Sequence, residues 1–391
     1  MMEKIRILFV IESLIAAGGE KSLVTLLSLL DYERYDVDLQ LFGYGGEFEQ
    51  FVPRQVNMLP PLSYSAYLMK KRKGSIRMKW ARFCYSISLR GGQKTIKEQA
   101  RLYWKYISPC IERNTSHYDL AIAYGQCHPT FYVAEKVSAR KKLAWVNCIY
   151  HLAGKELDFQ RYFYEVMDKI IMVSDAALTH FQGVFPEMAS KMELMPDIIN
   201  PLLINQMSES GESYIDDYDG PRLLTVARLN KFDKGYDITL DACRILKDRN
   251  IKFRWYALGR GEYREEMMNY IAENHLENYF VLLGVTPNPY PYIKDCTLYV
   301  QTSRHEGYGL SIAEARILNK PVVTTEFDAV WAQMVQGENG LVVSQDPVAV
   351  ADAIERLLND KHLYEHIVSY QKQEKKGNIE EIEKFYQLVE N

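Results

Sequence analysis

The chain has 391 residues, 47% hydrophobic and 25% charged, with a formal net charge of −4. That length suits two or three domains, and that composition excludes a disordered, fibrous or disulfide-stapled chain. The six cysteines (Cys84, Cys110, Cys127, Cys148, Cys243 and Cys296) are scattered and form no C-x-x-C pair, so buried free thiols in a reducing compartment are expected, with no zinc site.

The opening "MMEKIRILFVIESL" is too briefly apolar for a secretory leader, and no stretch is apolar enough to span a bilayer. A soluble, cytoplasmic protein is expected, at most peripheral on the inner face of the cell membrane. In chain order, "IRILFVI" (Ile5–Ile11) comes first, a short β-branched run suited to a strand buried on both faces. Gly18 and Gly19 then form a turn, and the apolar residues after them recur at helical spacing. Strand, glycine turn and helix open a doubly wound α/β domain. "YDVDLQLFG", "YDLAIAYG", "KKLAWVNCIY" and "KIIMVSDAA" read as further strands of that sheet.

One segment interrupts this rhythm. Between Ser63 and Lys97 stand ten basic residues (Lys70, Lys71, Arg72, Lys73, Arg77, Lys79, Arg82, Arg90, Lys94 and Lys97) and no acid. Removing those ten from the 47 leaves 37 basic against 51 acidic residues, so the charge is strongly polarised. Tyr64, Tyr67, Trp80, Phe83 and Tyr85 are interleaved with the cations. Such a segment suits an anionic membrane surface, or a solvated insertion helix packed on its own domain. Nucleic acid is not expected as a partner, because the acidic remainder would repel phosphates.

The polar stretch "GESYIDDYDGPR" (Gly211–Arg222) reads as a linker. The α/β rhythm then restarts with strand "RLLTVARL", helix "DITLDACRILKDR", strand "FRWYALG", helix "REEMMNYIAENH", strands "YFVLLG" and "LYVQTS", helix "GLSIAEARILN", strand "PVVTTE" and helix "VAVADAIERLLND". The tail "KKGNIEEIEKFYQLVE" reads as one more helix. Three parts are therefore expected. Residues 1–210 form a Rossmann-like domain with a basic insertion near 63–115. Residues 211–370 form a second Rossmann-like domain, and 371–391 a C-terminal helix.

The chemistry concentrates in "SRHEGYGLSIAEARILNKPVVTTE" (Ser303–Glu326). The loop follows a strand, at the carboxyl edge where α/β sheets bind ligands. Gly307 and Gly309 let backbone N–H groups approach a ligand, and the helix start at Gly309 or Leu310 adds orphan donors suited to phosphate. Glu306 and Glu314 can accept hydrogen bonds from hydroxyls. Acids around a phosphate cradle suggest a nucleotide sugar.

"EGYGLSIAEA" (Glu306–Ala315) resembles the signature of the retaining GT-B glycosyltransferases of glycosyltransferase family 4, an acid followed eight positions later by a second acid. "VARLNKFDKGYD" (Val226–Asp237) resembles that family's G-R-L-x-x-x-K-G element, with Ala227 where glycine is commoner. "ALGRGEYREE" (Ala257–Glu266) is similar to its nucleotide-wall loop, "GENGLVV" to its late turn before a strand, and "AAGGEKSL" to its N-terminal glycine loop.

The resemblance implies a GT-B fold, two Rossmann-like doubly wound domains facing across a cleft, 1–210 acceptor-binding and 211–370 nucleotide-sugar-binding, with the C-terminal helix crossing back to the N-terminal domain. It implies transfer of a sugar from a nucleoside diphosphate sugar, a UDP-sugar above all, to an acceptor hydroxyl with retention and without a metal or other cofactor. In that reading Arg228 and Lys234 neutralise the diphosphate. Glu306 orients the sugar or stabilises its positive charge, and Glu314 holds the ribose. Gly18, Gly19, Gly259, Arg260, Gly307, Tyr308, Gly309 and Leu310 line the donor. A family histidine is expected where "LAWVNCIYH" has Asn147, so either the Asn147 amide binds the donor sugar or His151 does. His128 in "GQCHPT" is a loop or core histidine, or touches the acceptor.

The acceptor could be a glycan, a lipid-linked saccharide or a protein, and the expected setting is synthesis of a bacterial surface glycan. Two D-x-D triplets, Asp36–Asp38 and Asp217–Asp219, mimic metal sites of another fold, but one lies in a strand and the other in the linker. A non-catalytic GT-B subunit that supports a partner transferase is the alternative. A nicotinamide-dependent dehydrogenase is disfavoured because G-x-G-x-x-G is missing after the first strand.

Overall fold

A computed structural model describes residues 4–15, 18–90, 92, 94–147 and 151–390. The chain divides into two compact units, Met1–Asp197 with Glu380–Asn391, and Ile198–Ile379.

The first unit is built on a parallel seven-stranded sheet of β1 (Ile5–Ile11), β2 (Tyr35–Leu41), β3 (Asn57–Met58), β4 (His117–Ala123), β5 (Ser138–Val146), β6 (Lys169–Met172) and β7 (Met192–Leu194), in the order β3-β2-β1-β4-β5-β6-β7. Ile7–Val10 are wholly buried, as helices on both faces require. Those helices are α1 (Gly18–Leu29), α2 (Ser63–Leu68), α3 (Ile76–Ser88), α4 (Ile96–Ile107), α5 (His128–Lys136), α6 (Gly154–Glu165) and α7 (Asp175–Val184). Gly18 and Gly19 are the first residues of α1 rather than a turn before it. Ala16 and Ala17 of the same stretch lie outside the described residues, as do the first three residues and Cys148.

The second unit opens with α8 (Pro201–Ser208). Its sheet has the order β10-β9-β8-β11-β12-β13, from β8 (Arg222–Val226), β9 (Arg254–Leu258), β10 (Phe280–Gly284), β11 (Leu298–Gln301), β12 (Val322–Thr325) and β13 (Gly340–Val343). α9 (Tyr236–Asp248), α10 (Arg264–Glu273), α11 (Tyr290–Asp295), α12 (Leu310–Ile317), α13 (Pro347–Asn359) and α14 (Lys361–Gln373) surround it. The strand order reverses between β8 and β11, which opens a crevice at their carboxyl ends.

Three expectations about the chain's organisation change. The break falls after Asp197, earlier than residue 210, because α8 packs into the second unit. Ile204 is buried there, and Asn288 Nδ2 donates to Met207 O at 2.8 Å and Ser210 O at 2.7 Å. Gly211–Arg222 is no free linker. Tyr214 lies 4.5 Å from the Tyr256 ring, and Asp216 accepts hydrogen bonds from Tyr256 OH at 2.5 Å and Arg222 at 2.9 Å. The tail is one helix, as expected, but its boundary with the second unit falls after Ile379 rather than residue 370. α14 stays in the second unit, where Gln371 Nε2 donates to Lys320 O and Asn339 O. α15 (Ile382–Glu390) completes the first unit, stacking Phe385 on Phe9 with ring centroids 6.0 Å apart and Tyr386 on Tyr35 at 5.6 Å.

Among the described residues no helix is long and apolar enough to cross a membrane. The described cysteines are free thiols, with Cys110, Cys243 and Cys296 buried but Cys84 and Cys127 only partly so.

Candidate donor-binding site

Two loops meet at the switch point of the second sheet. One leaves β8 and carries Arg228 and Lys234; the other leaves β11 and carries Glu306 to Gly309. Gly235 ends the first loop in the left-handed region (φ 62°), where a Cβ would lie 2.0 Å from Thr302 O. Only glycine lets α9 start this close to the end of β11. Thr302 Oγ1 then donates to Lys234 O at 3.1 Å and Gly235 O at 3.0 Å. Arg304 clamps Asp237 through two hydrogen bonds of 2.9 Å each, a bidentate pair that holds the loops in register.

This scaffold brings Lys234 and Glu306 together, with Nζ 2.6 Å from Oε2. Both side chains are about one-seventh exposed, at 15% and 14%. The other carboxylate oxygen of Glu306 accepts from Ser303 Oγ at 2.7 Å and Gln301 Nε2 at 3.2 Å. Tyr299 OH in turn donates to Gln301 Oε1 at 2.8 Å. Glu306 is thus fixed by a relay that starts inside the sheet. Sequence reading passed over Gln301 and Ser303. The signal was two polar side chains at the end of an apolar strand, where core residues alone would need none.

Gly309 is also left-handed (φ 87°) and caps α12. Gln333 Nε2 donates to the carbonyl oxygens of Tyr308 and Gly309, which pins the loop. The first N–H groups of α12 and its dipole favour an anion at that end. Arg228 is exposed, and among the described residues its side chain makes no hydrogen bond or ion pair. Its loop is joined to the Gly259–Gly261 loop by Leu229 N donating to Arg260 O at 2.9 Å. A Cβ on Gly259 would lie 1.9 Å from Ala227 O, and one on Gly261 2.1 Å from Leu229 O. Arg260 is exposed on that same joined edge.

Glu314 lies within the helix that follows the loop. It is 2% exposed on α12 and accepts from Tyr290 OH at 3.1 Å. Burial first, and the Glu314 charge second, push the Tyr290 phenol well above its ordinary value.

In the first unit the structure separates the two candidates for the family histidine's place. Asn147 follows β5 and lies against α1, where a Cβ on Gly19 would come within 2.9 Å of Asn147 Nδ2. Asn147 Oδ1 is buried with no hydrogen-bond partner among the described residues. His151 instead sets its ring against His180, with centroids 4.5 Å apart. His128 pairs with Glu12 at 3.0 Å and packs on Tyr103 at 4.4 Å. Among the described residues no cluster of three potential metal ligands occurs. Of the D-x-D acids, Asp38 accepts from Tyr118 and Asn57 at 2.7 Å each, and Asp219 pairs with Lys252 at 2.8 Å.

Two parallel α/β units, with cations and acids at a switch point and the last helix returned to the first sheet, define the GT-B fold. Residues 220–360 match the model of the family Glycosyl transferases group 1, so this part of the chain is a glycosyl transferases group 1 domain. A curated relative, the poly(ribitol-phosphate) alpha-N-acetylglucosaminyltransferase of Staphylococcus aureus, is 30% identical over 131 residues, 32% of this chain and 26% of the relative. The match thus spans about a quarter of that relative's length. Two solved structures share the fold over nearly the whole chain. A mutant of S. aureus TarM, in complex with Fondaparinux, alpha-GlcNAc-glycerol and UDP, has a TM-score of 0.68 and 15% identity, covering 99% of this chain and 100% of that one. HepE of Anabaena, in complex with UDP and glucose, has a TM-score of 0.70 and 17% identity, covering 98% and 99%. The expected GT-B architecture and family resemblance are borne out at this level.

Proposed function

We propose that the chain is a retaining glycosyltransferase that moves a sugar from a nucleoside diphosphate sugar, a UDP-sugar, to an acceptor hydroxyl. The observation that carries this reading is the Lys234–Glu306 pair at the switch point, beside the start of α12 and the exposed Arg228. As the glycosidic bond breaks, positive charge grows on the sugar ring and negative charge on the departing diphosphate. Lys234, Arg228 and the α12 amides face the negative charge, so they stabilise the transition state more than the ground state. These fixed cations take the role that a metal ion fills in other transferases. Glu306, held by Ser303 and Gln301, orients the sugar hydroxyls or meets the ring's positive charge. Glu314 takes the ribose hydroxyls in exchange for Tyr290. A leaving phosphate oxygen accepts the acceptor's proton.

We assign acceptor binding to the first unit, where Asn147, whose Oδ1 has no hydrogen-bond partner among the described residues, takes the place of the family histidine. Relatives named for poly(ribitol-phosphate) and for capsular polysaccharide biosynthesis support a surface glycan as acceptor. The test is incubation with a panel of nucleotide sugars and surface-glycan acceptors, measuring released diphosphate and glycosylated product. Turnover with one donor, abolished in Glu306→Gln, is expected. A folded chain that binds no nucleotide and turns over no donor would sink the reading and leave the non-catalytic subunit.

A further inference from the structure

We propose that one face of α3 inserts into an anionic lipid bilayer, a partner that rests on the transferase reading only for its biological setting. Ile76, Trp80, Phe83 and Ile87 are 88%, 65%, 52% and 43% exposed. At 100° per residue these four positions fall within an arc of roughly 60°. They form one continuous apolar stripe, and the Trp80 and Phe83 rings lie 5.6 Å apart within it. The opposite face is already used. Met78 and Ala81 are buried in the core of the first unit, and Tyr85 meets Tyr103 edge-on at 5.6 Å. The stripe is therefore a second apolar face with no partner among the described residues of its own unit.

Charge identifies the occupant. Arg77, Lys79 and Arg82 stand exposed on the same helix, Lys71, Arg72 and Lys73 are exposed just before it, and Arg90 just after. No acid occurs between Ser63 and Lys97. A polyanionic acceptor would need the cations but not the stripe, and a second copy of the chain would meet like charge with like charge. A bilayer of anionic lipid satisfies both, the cations at the headgroups and the stripe at the acyl boundary. Tryptophan and phenylalanine suit that boundary.

The experiment is co-sedimentation of the full chain with phosphatidylglycerol–phosphatidylcholine vesicles, and with phosphatidylcholine alone, at two salt concentrations. Binding to anionic vesicles that weakens with salt is expected. Trp80→Ser with Phe83→Ser should lower the apparent affinity by about tenfold or more, with the charge unchanged. Trp80→Leu with Phe83→Leu should retain most of it. Lys71→Gln, Arg72→Gln and Lys73→Gln together should remove most of the salt dependence. All these side chains are exposed, so melting curves should stay superimposable. Vesicle binding that is indifferent to the Ser variants overturns the proposal. So does self-association, or capture of a soluble polyphosphate, in place of vesicle binding. Diphosphate release with a soluble acceptor, measured alongside, reports on the transferase reading independently.

Discussion

Lys234 Nζ lies 2.6 Å from one oxygen of Glu306, whose other oxygen accepts from Ser303 Oγ at 2.7 Å. The lysine proposed for the leaving phosphate is thus paired with the acid proposed for the sugar. Removing one partner of a mostly buried pair leaves an uncompensated charge and costs on the order of 3 kcal/mol, whereas removing both is far milder. Lys234→Ala should therefore lower the melting temperature, and Lys234→Met with Glu306→Gln should recover most of the loss. Activity should not follow stability. The double variant should stay down by about a hundredfold or more in kcat, because the charges facing the transition state are gone. Recovered turnover in the stable double variant would refute a catalytic part for the pair.

Arg228 separates nucleotide binding from folding. Its side chain is exposed and makes no hydrogen bond or ion pair among the described residues, so Arg228→Gln should leave the melting curve unchanged. A charge-assisted hydrogen bond to phosphate is worth about 1.5–3 kcal/mol, so calorimetry with UDP should show affinity weakened by roughly ten- to a hundredfold. Unchanged affinity would place the diphosphate elsewhere.

Gly235 tests the scaffold beneath the site. Alanine there would need a left-handed backbone and would put its Cβ 2.0 Å from Thr302 O, which is backbone and cannot swing aside. We expect Gly235→Ala to cost several kcal/mol, about 3 or more, and to abolish UDP binding together with folding of the second unit. Gly284, also left-handed but with open space around it, should tolerate alanine far better.

Asp197 gives the pH dependence. It is buried, accepts from Ser22 Oγ at 2.5 Å, and Ser22 meets Tyr124 OH at 2.7 Å. Burial pushes its carboxyl up from 3.8 to about 6, with the Ser22 hydrogen bond opposing. The folded chain then holds this proton between those values while the unfolded chain has released it, so this group's contribution to stability falls as pH rises from about 4 to about 6. Above that range the buried charge costs on the order of 2–3 kcal/mol. Asp197→Asn should raise the melting temperature at pH 7.5 and leave it nearly unchanged at pH 4.5. The opposite ordering would mean that the carboxylate is welcomed in its charged form.

Much of this was legible in sequence because it is local. Strands buried on both faces announce themselves as short apolar runs, so β1, β8 and β9 were placed within a few residues. Glu306, Gly309 and Lys234 lay in compact motifs. What escaped was set by contacts distant in sequence. Gly211–Arg222 has the composition of a linker, and only the Tyr256, Arg222 and Arg254 side chains closing on Asp216 make it part of a fold. Ser22, Tyr124 and Asp197 carry no shared motif and meet only in three dimensions. The exposed stripe of α3 was visible as a mixture of aromatic and basic residues, but not which of its apolar side chains the core had already taken.

The return of α15 to the first sheet has a consequence for biosynthesis. Phe385, wholly buried against Phe9, is made after every residue of the second unit. The later-encoded unit is therefore complete in sequence while the earlier one still waits for its closing piece. A stalled or prematurely terminated message would yield a second unit tethered to an unfinished, sticky first one, a product that quality control would need to clear.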